Sequence, residues 1–194
     1  MFFEVKPVRL KGESVRLEPL SQDHAQGLFN RGQESADWAH MPRACFVDMA
    51  DTRQWIDEAL AAPGQVPFAI VETGKDKTVG STRYLNIRPD HRTLEIGWTW
   101  LGREWQQTAI NTEVKTLLLT HAFERLGCVR VEFKTDGRNM RSQSALERIG
   151  ATREGVLRNH MIVQNDFVRD SVYFSVIDRE WVDVKAVLDT LRRR

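Results

Sequence analysis

The sequence has few cysteines, no surplus of charge of one sign and no long apolar segment, and each absence excludes a class of protein. Its 194 residues include two cysteines, Cys45 and Cys128, which cannot form a disulfide framework and suit a reducing compartment. Lys and Arg number 28 against 27 Asp and Glu, whereas nucleic-acid binders usually carry a basic surplus. No segment approaches the ~20 apolar residues of a membrane span, and we expect no signal peptide.

Hydrophobic residues make up 41% of the chain, and the formal net charge is only +1. Intrinsically disordered chains show the opposite combination of low hydrophobicity and high net charge. The length suits one domain that buries its own core without a disulfide or a metal. We therefore predict a single globular domain over residues 1–194, cytoplasmic, with no membrane and no direct nucleic-acid partner.

Hydrophobic periodicity predicts a mixed α/β protein whose sheet is largely antiparallel and carries helices on both faces. Strands are expected at 14–20, 67–72, 77–86, 93–100, 129–134, 156–163 and 168–177. Helices are expected at 21–34, 51–61, 112–126, 139–149 and 179–191. In the strand 93–100, side chains are expected to alternate between the two faces of the sheet. One face would carry Leu94, Ile96, Trp98 and Trp100. The other would carry Thr93, Glu95, Gly97 and Thr99.

Glu95 is the unusual residue of that strand, because a carboxylate stands among apolar neighbours and shares a face with Gly97. A glycine inside a strand often marks a bulge or the close approach of a ligand. A carboxylate in a partly dry cleft has a raised proton affinity and can act as a general base for an amine. The alternative is a half-exposed Glu that pairs with a neighbouring Arg.

The strand leads through a short polar segment into the helix predicted from residue 112. Asn111 or Thr112 would cap this helix. Helix N-termini bind phosphate well, because their first amides are unpaired and carry partial positive charge. Most helices begin at a polar cap and bind nothing, so this segment alone is weak evidence for a phosphate site.

Three segments together resemble the GNAT superfamily of acetyl-CoA-dependent N-acetyltransferases, and within it the Rim-type enzymes that acetylate ribosomal-protein N-termini. The segments are Leu94-Glu95-Ile96-Gly97-Trp98, Gln106-Gln107-Thr108-Ala109-Ile110-Asn111 and Asn139-Met140-Arg141-Ser142 with Gly150-Ala151. The second falls on the pyrophosphate loop of the family, Arg/Gln-x-x-Gly-x-Gly/Ala. The resemblance implies a GNAT-type sheet and covers nearly the whole chain.

The resemblance also implies roles for individual residues. The amides of Thr108 to Thr112 would hold the pyrophosphate of acetyl-CoA, and the end of the strand 93–100 would pair with its pantetheine arm. The residues expected against acetyl-CoA are Trp98, Trp100, Leu101, Gln106, Gln107, Thr108, Ala109, Ile110, Asn111, Thr112, Asn139 and Ser142. Glu95 stands eleven positions before Gln106, where some members carry a Glu that deprotonates the incoming amine.

Two positions depart from the family pattern. Ala109 and Asn111 replace both glycines of the loop, and a left-handed conformation at Ala109 would cost roughly 1–2 kcal/mol. Leu146 stands where many members have a Tyr that protonates the departing thiolate, so Ser142, a water or no acid at all would serve here. A thiolate with a pKa of roughly 8–9 leaves without much help.

The acceptor is expected to be a primary amine, and the N-terminal α-amino group of a protein or peptide is favoured. An α-amino group has a pKa of about 7.7–8.0 and Lys one of about 10.4, so the former loses its proton more easily. Arg158 and His160 are expected to contact the acceptor, no metal is expected, and a homodimer is possible on this pattern. The alternatives are acetylation of a small-molecule amine and a catalytically weak module that only binds acetyl-CoA.

Overall fold

The computed structural model describes residues 3–193, which form an eight-stranded sheet with five α-helices. The strands are β1 (Leu10–Lys11), β2 (Val15–Pro19), β3 (Val66–Glu72), β4 (Lys77–Arg88), β5 (Thr93–Leu101), β6 (Arg130–Asp136), β7 (Thr152–Val163) and β8 (Phe167–Ile177). The helices are α1 (Ala25–Arg31), α2 (Met49–Ala61), α3 (Ala109–Thr120), α4 (Met140–Arg148) and α5 (Trp181–Arg192).

The sheet is mixed and mostly antiparallel, as predicted. Its spatial order is β1-β2-β3-β4-β5-β6-β8-β7, and β5 with β6 is the parallel pair among these neighbours. Alternation along β3 shows that both faces are covered. Phe68 and Ile70 pack in the core beneath α3 and α5, while Ala69 and Val71 pack in a second core beneath α1 and α2.

The predicted elements are all present, with shifted ends and one addition. β1 was not predicted, because two residues give no periodic signal. The first helix ends at Arg31, where Gly32 closes it, rather than at residue 34. Helix α3 ends at Thr120 and continues as a π-helical turn, His121–Arg125.

The predicted alternation along β5 is wrong beyond Gly97, because a β-bulge reverses it. Gly97 pairs with Arg83 and Trp100 pairs with Ser81, so β5 has one residue more than β4 between these two pairs. Trp98 has a φ of 50°, and the Arg83 guanidinium stacks 4.7 Å from its ring. A bulge of this kind re-aims every later side chain.

The two cores confirm the reversal. Leu94 and Ile96 lie in the core beneath α3, whereas Trp100 lies in the core beneath α1 and α2 and packs 5.0 Å from Trp38. Leu101 returns to the α3 side. The α3 face of β5 therefore changes from even-numbered to odd-numbered residues at the bulge.

Glu113 fastens the two ends of the chain to α3. Its side chain is buried, and it accepts hydrogen bonds from the backbone amides of Glu13 (2.5 Å) and Ser14 (3.1 Å). Arg192, at the end of α5, lies 3.6 Å from the same carboxylate. A Cβ on Gly12 would overlap this carboxylate, so the turn before β2 closes directly on it.

Replacement Glu113→Ala is expected to lower the free energy of unfolding by about 2–4 kcal/mol, because it removes a buried carboxylate that holds the Glu13 and Ser14 amides and Arg192. Urea denaturation followed by circular dichroism measures this loss. Glu147→Ala, at an exposed position of α4, is the matched control. Equal stabilities for the two variants would show that Glu113 does not anchor the chain ends.

Candidate active site

Strands β5 and β6 pair over three residues and then separate. Residues 93–95 pair with residues 130–132, but β5 continues to Leu101 and β6 to Asp136 without further pairing between them. Backbone N–H and C=O groups on this side of β5 are therefore left without a strand partner, and buried groups of this kind need one. The cleft between the strands offers an open strand edge to an extended ligand.

The open end of this cleft lies between the N-termini of α3 and α4. Gln106 links the two sides: its Nε2 donates to the Leu101 carbonyl at 2.9 Å, and its Oε1 accepts from Arg141 at 2.9 Å. Thr108 caps α3 by accepting a hydrogen bond from the Ile110 amide. The unpaired first amides of a helix carry partial positive charge, so this end of the cleft suits an anionic group.

Glu95 lies at the closed end of the cleft, at the last residue of β5 that pairs with β6. The residue is 2% exposed. Its Oε2 accepts from Asn86 Nδ2 at 2.7 Å and lies 3.5 Å from Lys134 Nζ. Its Oε1 lies over Gly97, where an added Cβ would come within 3.2 Å of it. One carboxylate oxygen is therefore held in place, while the other points toward the glycine side of the strand.

Polar side chains of β6, β7 and β8 extend from Glu95 along the same face. Lys134 pairs with Tyr173 across β6 and β8, and the Tyr173 ring contacts the imidazole of His160 edge-on at 5.8 Å. His160 Nδ1 also lies 3.0 Å from Ser171 Oγ. Burial, and then Lys134, lower the pKa of His160, whereas burial and Glu95 raise the pKa of Tyr173.

Lys115 reaches the cleft from the opposite face, the one covered by α3. It is 8% exposed, and its Nζ donates to Thr99 Oγ1 at 3.0 Å. Thr99 Oγ1 lies 2.7 Å from Thr82 Oγ1, and the Phe133 ring lies 5.3 Å from the ammonium. Burial lowers the pKa of Lys115 to about 7. The amine is therefore close to its titration point at neutral pH.

Comparison with known proteins decides the family. Residues 14–152 match the family model described as "Acetyltransferase (GNAT) domain". The chain belongs to the GNAT acetyltransferase family. It is an acetyl-CoA-dependent N-acetyltransferase, and the predicted GNAT-type fold and family resemblance are confirmed.

Three relatives illustrate the similarity. The chain is 36% identical to the Bacillus subtilis protein named "Putative ribosomal N-acetyltransferase YdaF" over 96 residues, about half of each chain (50% and 51%). It is 28% identical to a GCN5-related N-acetyltransferase from Brucella melitensis, with a TM-score of 0.91 over 96% of this chain and 86% of that one. It is 37% identical to a "putative acetyltransferase from T. thermophilus", with a TM-score of 0.89 over 96% and 98% of the two chains.

The structure corrects the predicted start of the pyrophosphate loop and of its helix. Thr108, not Asn111 or Thr112, is the N-cap, so Ala109, Ile110 and Asn111 already belong to α3. Thr108 is extended, and its hydroxyl donates to the Trp105 carbonyl at 2.8 Å, which fixes the cap one turn earlier than expected. The left-handed residue of the loop is Gln107, with a φ of 59°. Ala109 therefore avoids the left-handed strain.

Asn139 and Ser142 both lie at the start of α4, where the Asn139 side chain accepts from the Ser142 amide at 3.0 Å. Asn139 is thus the N-cap of α4, and Ser142 is half-buried. Leu146 packs in the core beneath α3 and α5. The position at which many family members carry a Tyr therefore contributes to the core here.

The other predicted site residues divide into two groups. The side chains of Trp100 and Leu101 are buried in the two cores, and Trp98 is half-buried, so β5 presents mainly its backbone to the cleft. His160 lies on the face of Glu95. Arg158 makes no contact with that group and lines an exposed depression beside Asp170, across the irregular pairing of β7 and β8.

Four residues of the site were not identified from the sequence: Asn86, Lys134, Tyr173 and Lys115. The first three lie on strands other than that of Glu95, namely β4, β6 and β8, and carry no local signal. Lys115 does carry one, because it stands at the head of an i, i+3, i+4, i+7 pattern with Leu118, Leu119 and Ala122, all of which are buried. A lysine on the apolar face of a helix is unusual, because lysine side chains are rarely buried, and it indicates a candidate functional residue.

Residues 3–193 contain neither a cluster of metal-binding side chains nor a membrane-spanning helix. No group of three or more His, Cys, Asp or Glu side chains in this part of the chain could hold a metal ion. No helix within the same residues is long and apolar enough to cross a membrane.

The low pKa of Lys115 predicts how Lys115→Met changes stability with pH. Between pH 7 and about 10.4 the unfolded chain binds a proton that the folded chain does not, so the contribution of Lys115 to stability rises with pH. Below pH 7 the full penalty of burying the charge applies, on the order of 4 kcal/mol. We expect Lys115→Met to be more stable than the parent at pH 6 and to lose this advantage toward pH 10.

Urea denaturation at pH 6 and pH 9.5 measures this difference. Lys75→Met, in the exposed turn between β3 and β4, is the control and should show the same small difference at both pH values. A stability difference for Lys115→Met that does not change with pH would contradict a lowered pKa at this position.

Proposed function

We propose that this enzyme transfers the acetyl group of acetyl-CoA to the N-terminal α-amino group of a protein or peptide, with Glu95 as the general base. The observation that carries the proposal is the position of Glu95, a buried carboxylate at the point where β5 and β6 separate. Bound acetyl-CoA supplies an acetyl thioester, which an uncharged amine can attack.

The residues around the cleft fit acetyl-CoA. The amides at the start of α3, from Thr108 to Thr112, are suited to the pyrophosphate, and the open edge of β5 is suited to the amide groups of the pantetheine arm. Gln106 and Arg141 lie at the mouth between these two sites. The unpaired backbone groups of β5 would thereby gain the hydrogen bonds that they lack.

Glu95 is arranged to accept a proton through one oxygen. Asn86 and Lys134 both approach Oε2, which fixes the plane of the carboxylate. Oε1 accepts no hydrogen bond from residues 3–193 and lies over Gly97. It can take the proton of the amine directly or through one water.

Among primary amines, an α-amino group costs the base the least free energy to deprotonate. Its pKa of about 7.7–8.0 lies roughly 2.5 units below that of Lys, which is worth about 3–4 kcal/mol in the cost of removing the proton near neutral pH. The similarity to a relative named as a ribosomal N-acetyltransferase supports the same acceptor.

The approach to Glu95 is bounded by the β7–β8 hairpin and by the segment between α1 and α2. The Gln164 side chain, in the hairpin turn, donates to the carbonyls of Trp38 (2.9 Å), Met41 (2.8 Å) and Arg43 (2.6 Å). This tie fixes the hairpin against the segment. His160 lies on the inner side of the hairpin and would contact the acceptor beside Glu95.

Proton delivery to the leaving thiolate requires no tyrosine at residue 146. The half-buried Ser142 hydroxyl, beside the Asn139 cap at the start of α4, is our candidate for the donor. A thiol of pKa roughly 8–9 also leaves without a strong acid.

Replacement Glu95→Gln is expected to lower turnover roughly 10²- to 10⁴-fold while leaving acetyl-CoA affinity unchanged, because it removes the proton acceptor and keeps the shape. Thiol release from acetyl-CoA measures turnover, and calorimetry measures binding. Glu147→Gln is the surface control. Undiminished turnover in Glu95→Gln would remove this residue from the mechanism.

Acceptor class is tested by thiol release with Ser- and Ala-starting peptides, polyamines and aminosugars. Turnover on the peptides, lost when their N-terminus is blocked, is the expected result. Turnover on polyamines or aminosugars alone would assign a small-molecule acceptor. Tight acetyl-CoA binding without turnover on any amine would indicate a binding module.

A further inference from the structure

Lys115 Nζ lies between the two strands of the cleft, beyond their last paired residues. Its hydrogen-bond partner, Thr99, belongs to β5, and the ring that it faces, Phe133, belongs to β6. Pairing of these strands ends at Glu95 and Glu132. The ammonium therefore lies on the α3 side of the gap between the two strands.

The buried charge of Lys115 has no counterion in residues 3–193. No carboxylate oxygen in this part of the chain lies within 4.0 Å of Nζ. The buried carboxylates, by contrast, all have a cationic partner, since Glu95, Glu113 and Asp136 pair with Lys134, Arg192 and Arg138. A buried ammonium that lacks both a counterion and hydrogen-bond partners is costly.

Hydrogen bonding around Lys115 is also incomplete. An ammonium group has three donors, and the described residues accept one of them, through Thr99 Oγ1. The same hydroxyl is shared with Thr82. Two of its three donors thus have no acceptor among residues 3–193, beside a β5 edge that is itself unpaired.

We propose that Lys115 binds the pantetheine arm of acetyl-CoA, donating hydrogen bonds to its oxygen atoms from the α3 side of the cleft. This inference rests on the proposed use of acetyl-CoA in that cleft. It assigns to Lys115 a binding role separate from that of Glu95, which lies on the other face of the sheet.

Position along the cleft selects the arm rather than the phosphates or the thioester. Lys115 lies three residues beyond Thr112 and six beyond Ala109, so it is about 4.5–9 Å along the helix from the amides that suit the pyrophosphate. Thr99 lies four residues beyond Glu95, at most ~13 Å along the strand from the proposed base. The part of acetyl-CoA between its phosphates and its thioester carries two amide carbonyls and a hydroxyl, all of which accept hydrogen bonds.

The test compares acetyl-CoA binding by the parent and by Lys115→Met, measured by calorimetry at pH 6.5. The methionine keeps an unbranched side chain of similar length and removes all three donors. We expect the dissociation constant to rise about tenfold to a hundredfold, as for loss of hydrogen bonds from a charged group. KM for acetyl-CoA should rise by a similar factor, while kcat stays within about twofold.

A second ligand locates the contact. S-acetyl-4′-phosphopantetheine has the same arm but lacks the 3′-phosphoadenosine and the second phosphate of the diphosphate. An equal loss of affinity for both ligands supports a contact to the arm. Weakening confined to acetyl-CoA would overturn it and assign Lys115 to the diphosphate or the nucleotide.

Lys75→Met is the control for loss of a surface ammonium and should bind both ligands as the parent does. Lys115→Gln provides a second neutral variant should the methionine disturb the fold, which thermal unfolding of both proteins monitors. Unchanged affinity in both folded variants would overturn the inference and leave the proposed function intact. Absence of acetyl-CoA binding by the parent would instead overturn the proposed function, and this inference with it.

Discussion

The site depends on one constraint, namely that β5 and β6 stop pairing after residues 95 and 132. A sheet that loses pairing in its middle must satisfy the exposed backbone groups in some other way. Here the neighbouring pair β4–β5 contains a β-bulge where β5 separates from β6. Its bulge at Trp98 bends β5, and the stacking of Arg83 on the Trp98 ring stabilises the left-handed backbone at that residue. The shape of the cleft thus depends on β4 as well as on β5 and β6.

The bulge also decides which side chains reach the cleft. Glu95 precedes it and points to the face of α1 and α2, whereas Thr99 follows it and points to α3, where it meets Lys115. Without the extra residue, Thr99 would share the face of Glu95, and Lys115 would have no partner on β5. One inserted residue therefore brings Thr99 to Lys115 and keeps this basic group on the face opposite to Glu95.

Sequence patterns predicted the strands and helices, because these follow from hydrophobic periods that are local. They also singled out Glu95 and Gly97, since a carboxylate and a glycine are both exceptions inside a strand. The bulge could not be predicted in this way: Trp98 is a bulky residue with a φ of 50°, which no propensity favours. Asn86 and Lys134 were missed because their contacts with Glu95 join separate strands.

The loop over residues 106–111 does without the two glycines of the family pattern because its left-handed residue lies at neither of those two positions. Gln107 takes that conformation, with a φ of 59°, between the 3₁₀ turn at Arg103–Trp105 and the start of α3. The cost of roughly 1–2 kcal/mol is offset by neighbours on both sides. Gln106 is bonded to the Leu101 carbonyl and to Arg141, while the Thr108 hydroxyl both caps α3 and holds the Trp105 carbonyl. Side-chain hydrogen bonds thus hold the loop in a left-handed form that glycine adopts more easily. The first amides of α3 stay available to an anion, because within residues 3–193 only the Thr108 cap bonds to one of them through a side chain.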